Sequence, residues 1–272
     1  MISLVLLVLG MGVMAAAFRT FRNQALFFAG TFGMVATSFL AGWLLGGSLV
    51  LGALFASTWF LLPWVEILTR VRRMRLPIDR RLESCAPPAR SVFPDFIDLS
   101  DEVEAAGFEY CEDAAWEHER TRQSYRFYYS ERTRTLAAIC LIEQESIAFY
   151  YVALTSKALD GRVFMTWNYP FSYGLHLHPK ISLSRGGGEL SVAELATLHS
   201  SHLERAAVQS DRLCLQAAEG ICTEMQNEMR EQVEHNLACG ILKRDGEEMI
   251  RYSVRGMVFL WFQFLRDFGR LS

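Results

Sequence analysis

Between Ala25 and Val65 the sequence runs 41 residues without an Asp, Glu, Lys or Arg, most of them large apolar side chains or glycine. A single helix of that length would reach about 60 Å, roughly twice the ~30 Å hydrocarbon thickness of a bilayer. The stretch therefore predicts two spans with a turn between them. Gly46-Gly47-Ser48 has the right chemistry for that turn, because glycine tolerates positive φ and serine caps a following helix. The expected helices are about 25–45 and 49–68. Gly42 and Gly46 form a small-xxx-small pair that would let the two helices approach closely.

Residues 2–18 are also apolar, at the short end for a span, and Ala15-Ala16-Ala17 resembles a signal-peptidase site. A cleavable signal begins with basic residues, whereas here Arg19 and Arg22 follow the apolar run. The expectation is a first transmembrane helix, making three spans within residues 1–70. The short loops on one side then hold Arg19, Arg22, Arg70, Arg72, Arg73, Arg75, Arg80 and Arg81, and the other side holds no basic residue. This asymmetry places the N-terminus outside and the remaining chain in the cytoplasm. The lipid bilayer is thus the first expected partner, and the arginine cluster suits an anionic leaflet.

A basic, proline-containing linker over 71–93 is expected to lead to a cytoplasmic α+β domain over 94–272. Up to Arg90 the chain carries 9 basic and 3 acidic residues; beyond it stand 18 basic and 27 acidic. An acidic domain argues against a nucleic-acid partner, since phosphate binding needs a basic face. The six cysteines, at 85, 111, 140, 214, 222 and 239, show no CxxC spacing and read as free thiols.

Within the domain, Asp98 or Ser100 would cap a short helix ending at Gly107. Four strand candidates follow closely, around 125–130, 136–142, 147–154 and 163–167, and predict an antiparallel sheet. Asp160-Gly161 predicts a type I′ hairpin turn before the last of them. Ser191 and Glu194 form a capping box opening a helix whose apolar face includes Val192, Leu195, His199 and Leu203. A second helical stretch, 213–237, has apolar or small residues at every fourth position, a stripe that drifts around a straight helix and predicts a wrap or a break at Gly220. These two helices are expected to pack as a pair. Asp245-Gly246 marks another hairpin, and the chain ends in an amphipathic helix over about 253–269. Its aromatic face would lie in the membrane interface or pack on neighbouring helices.

Sequence motifs for GxSxG or HExxH chemistry are absent. The candidate chemistry is a histidine set: His176 and His178, two apart in a strand-like stretch, and His199 and His202, three apart on a helix. If strand and helix met, the four could hold a divalent metal such as zinc; otherwise no cofactor is expected. Arg185 before a glycine run could meet an anion at the following helix, and Thr166 and Asn168 could line a small-molecule pocket. The leading expectation is a membrane-anchored accessory, scaffold or assembly protein that binds a protein partner or self-associates. The alternatives are a metal-dependent enzyme, a metal sensor or a small-molecule sensor.

Overall fold

The computed structural model describes residues 2–18, 24–89, 91–119, 121–144, 147–186, 190–215 and 220–268. The chain divides into two compact units, one of residues 1–74, 172–174 and 251–272, the other of residues 75–171 and 175–250.

The first unit contains the N-terminal helices α1 (Ile2–Phe18), α2 (Gln24–Gly46) and α3 (Leu49–Thr69). Gly47 adopts φ +60°, and the Ser48 side chain accepts the Val50 N–H, so the expected turn forms at the expected place. A methyl group at Gly42 would lie 2.6 Å from the Leu51 carbonyl oxygen. Only a residue without Cβ fits there, which explains the close approach of α2 and α3. Trp59 also donates its indole N–H to Ser38 Oγ at 2.8 Å. Two segments, Phe28–Gly46 and Leu49–Arg73, are long and apolar enough to cross a membrane. Among the described residues the expectation of three is corrected to two, because α1 has only 17 residues, about 25 Å of rise.

The terminal helix α7 (Val254–Phe268) belongs to this same unit and packs against α3. Trp261 donates to the Phe60 carbonyl at 2.7 Å, and its ring stacks on Trp64 at 6.1 Å. The buried Asp267 accepts the Ser172 N–H at 2.6 Å and the Ser172 hydroxyl, so residues 172–174 are tied to α7.

The second unit is α+β with mixed sheets. Its main sheet has seven strands in the order β2 (Glu83–Ser84), β3 (Glu109–His118), β4 (Thr121–Ser130), β5 (Thr135–Gln144), β6 (Ile147–Lys157), β7 (Val163–Trp167) and β8 (Ile181–Arg185). The four expected strands, β4 to β7, pair antiparallel in sequence order, and the sheet as a whole is mixed because β7 and β8 run parallel. A smaller sheet joins β1 (Leu76–Pro77), β10 (Met249–Tyr252) and β9 (Leu242–Arg244). Strand pairing by β1 and β2 gives structure to a stretch that reads as linker.

Register sorts the central side chains onto two faces. Tyr128, Ala137, Leu154 and Thr166 align across four strands, as do Phe127, Ala138, Ala153 and Trp167 on the opposite side. The first face is covered by α4 (Phe96–Ala105) and α5 (Val192–Arg205), with Phe96, Val103, Val192 and Leu195 in one core cluster. Each such side chain contributes about 1.5–3 kcal/mol by burial. The partner of α5 in this core is therefore α4, not the helix that follows it in sequence. That later helix, α6 (Ile221–Ala238), starts directly after Gly220, which takes φ +100°, and so the four-residue stripe is broken where expected.

The Ser191 and Glu194 capping box is present in full. The helix expected from Asp98 starts earlier, at Phe96, and Ser100 is buried inside it, donating back to the Phe96 carbonyl. At the β6–β7 turn only Gly161 has positive φ. A type I′ turn needs two such residues. Instead Gly161 N–H closes a turn on the Ala158 carbonyl while Asp160 accepts the Arg162 N–H and guanidinium.

Candidate metal centre

The segment between β7 and β8 is held by α6 through backbone hydrogen bonds made by side chains. Asn236, with no exposed surface, accepts the His176 N–H at 2.8 Å and donates to the His176 carbonyl at 2.9 Å. One turn earlier, Gln232 donates to that same carbonyl and accepts the His178 N–H at 3.0 Å. Two amide side chains at i and i+4 lie on one helix face, and here they serve the segment as a strand edge would. The arrangement fixes His176 above the C-terminal turn of α6.

That turn carries His235 and, at its C-cap, Cys239. His176 Nδ1 lies 3.3 Å from His235 Nε2, and Cys239 Sγ lies 3.6 Å from the same nitrogen. All three donor atoms fall within 4.8 Å of one another. For tetrahedral zinc, Zn–N of about 2.0–2.1 Å and Zn–S of about 2.3 Å place two nitrogens about 3.4 Å apart and a nitrogen and sulfur about 3.6 Å apart. The nitrogen–nitrogen separation matches its edge, whereas Cys239 Sγ, 3.6 Å from Nε2 and 3.9 Å from Nδ1 of His235, lies beside the ring and would join the ion by a turn of its own side chain. His235 is held below the ordinary imidazole range, first by desolvation and then by the charges of His178 and His176, while the Leu177 main chain hydrogen-bonds the ring and pulls the other way. A neutral imidazole is the form that ligates.

The donor set of two imidazoles and a thiol suits a borderline-soft ion of the zinc class. Comparison with known protein families, curated proteins and solved structures finds no match. The chemistry of the site rests on its own geometry.

His178 stands beside the cluster, its ring centroid 5.0 Å from that of His235, but its Nδ1 accepts the Lys180 N–H at 3.2 Å. The four expected ligands are not brought together. His199 and His202 lie instead between α5 and the sheet, 3% and 8% exposed, with both rings committed to hydroxyl groups. Thr135 Oγ1 donates to the Thr133 carbonyl and stands 2.9 Å from Ser156 Oγ; Ser156 Oγ is 3.0 Å from His199 Nε2. His199 Nδ1 is 2.9 Å from Thr166 Oγ1, which is 3.3 Å from His202 Nδ1, and His202 Nε2 is 2.9 Å from Ser182 Oγ. Each hydroxyl has one proton to give, so the first donation orders all the others. Ser156 must donate to Thr135, His199 Nε2–H to Ser156, Thr166 to His199 Nδ1, His202 Nδ1–H to Thr166, and Ser182 to His202 Nε2. Both rings are neutral in this order. Burial pushes His199 down to about 4 and lowers His202 as well.

Thr166 and Asn168 are buried: the former joins the two histidines, and Asn168 accepts the Val152 N–H at 2.7 Å. Arg185 donates to the Pro170 carbonyl, and the glycines at 187 and 188 lie outside the described residues. All six cysteines are free, and Cys140 is the buried one among them. The ligands missed by sequence reasoning are His235 and Cys239, four residues apart at the end of a helix. That i, i+4 spacing was the available signal.

Proposed function

We propose that this chain is a membrane-anchored accessory protein whose α+β unit binds one zinc-class ion through His176, His235 and Cys239 and responds to it. The observation that carries this reading is the convergence of three ligating atoms within 4.8 Å, two of them imidazole nitrogens 3.3 Å apart, the edge of a tetrahedral site. The ion would join the segment between β7 and β8 to the end of α6, and its binding free energy would add to the stability of that junction. Membrane anchoring is supported by α2 and α3, both apolar and of spanning length. The arginines at 19, 22 and 70–81 support a multi-pass topology with the α+β unit in the cytoplasm, where a protein partner or a second copy would meet it.

Elemental analysis of detergent-purified protein tests the reading. One zinc per chain, lost in His235→Ala and Cys239→Ser variants and kept in a His202→Gln variant, is the expected result. Protein that retains no zinc, iron, cobalt or copper after purification in their presence would defeat it.

A further inference from the structure

Resting on the reading of His176, His235 and Cys239 as ligands, we infer that the bound ion keeps a fourth position open and takes there a small exogenous anionic donor, hydroxide from water or a thiolate. A closed structural site would need a fourth protein ligand, and among the described residues the histidine beside the cluster is His178. Its ring is oriented against that role. The Nδ1 lone pair is occupied by the Lys180 N–H, so the ring proton resides on Nε2, and the remaining nitrogen is a donor with no lone pair in the ring plane to offer. Turning Nε2 into a ligand would move the proton to Nδ1 and set it against the Lys180 N–H. The backbone of residue 178 is also held, by Gln232, and Lys180 is drawn to Glu231 on the outer face of α6. His178 is thus fixed as a neighbour of the site.

Two further observations define what enters the open position. His176 is exposed, so the cluster is reached from solvent. A divalent ion with two neutral imidazoles and one thiolate retains a net charge of about +1, which favours an anion over a neutral donor. The same charge would lower the pKa of a bound water toward the neutral range, as at three-ligand zinc sites generally.

The test uses the full chain in detergent, loaded with Co²⁺, whose visible d–d bands report coordination number and whose ultraviolet sulfur-to-metal band reports Cys239. Titration with azide is expected to shift the d–d bands saturably while the Cys239 band is retained, and titration with 2-mercaptoethanol to shift them with a gain in sulfur-to-metal absorption. The cobalt spectra of His178→Ala and of His178→Gln, which keeps an acceptor for Lys180, are expected to match that of the parent. Cobalt bound with a spectrum insensitive to both anions, and d–d bands altered in both His178 variants, would overturn the open position while leaving the metal site intact. An absent sulfur band on adding Co²⁺ would overturn both.

Discussion

Asn236 holds the main chain of His176 from both sides, its Oδ1 taking the N–H and its Nδ2 giving to the carbonyl. A fully buried carboxamide thereby does for an irregular segment what a neighbouring strand does for a regular one.

Removing that amide should therefore be costly twice. An Asn236→Ala variant leaves the part-buried His176 N–H without its partner and weakens the carbonyl contact, an expected loss of about 1–3 kcal/mol in denaturant unfolding. Because the ligand His176 loses its positioning, zinc affinity should fall about 10–100-fold, read by competition with a chromophoric chelator. Unchanged affinity in a folded variant would show that the segment positions itself.

Zinc should raise the thermal midpoint of the parent protein. With ligand at 100 times its dissociation constant the gain is about 2.7 kcal/mol, and a chelator should remove it. Scanning calorimetry of Cys239→Ser, with and without zinc, should show coincident transitions. A zinc-dependent shift surviving in that variant would assign the ion elsewhere.

The buried histidine chain makes stability depend on acid. His199 sits at about 4 when folded, below its unfolded value of 6.5, so the unfolded chain binds the extra proton first. Stability is fully present above about pH 6.5 and is lost as pH falls toward 4, by about 3 kcal/mol for this group, with His202 acting in the same direction. In urea titrations between pH 4 and 7, His199→Gln should have a slope of stability against pH smaller by about one proton. Parallel slopes for parent and variant would show that His199 is not the group responsible.

The contact between α3 and α7 predicts a graded pair of variants. Trp261→Phe keeps a ring against Trp64 and loses the hydrogen bond to Phe60, an expected cost of about 1 kcal/mol. Trp261→Ala loses both and should cost about 2–4 kcal/mol. Limited proteolysis should then cut α7 sooner in the alanine variant than in the phenylalanine one, and equal rates in all three proteins would mean that Trp261 does not anchor the helix.

Much of this architecture is legible in local chemistry. Ser48, the Ser191 and Glu194 box, Gly107 and Gly220 act through one or two bonds close in sequence, and each ends or begins its element where its chemistry says. The apolar β5 and β6 read equally well, because a strand covered on both faces has no polar alternation to confuse it. Two strands were harder. β3 carries Glu109, Glu112, Asp113 and Glu117, and reads as solvated until Arg126 from β4 takes up Asp113 in a bidentate pair at 2.8 Å. β8 is a short edge strand with little apolar content. The metal site was half legible: His176 stands out, but its partners lie 59 and 63 positions downstream, and only the hydrogen bonds from Gln232 and Asn236 bring them within reach.

The parallel pairing of β7 and β8 has a consequence beyond the shape of the sheet. Antiparallel neighbours can be joined by a reversal of two residues, but a parallel pair obliges the chain to travel back along the whole length of the strand before it can begin again. Residues 168–180 are that return journey. Had the last strand run the other way, a tight turn would have sufficed, and there would have been no length of chain on which to carry His176 to the end of α6. The possibility of the site was created by the direction of one edge strand, and an insertion in this return path could alter its ligands without disturbing a single rung of the sheet.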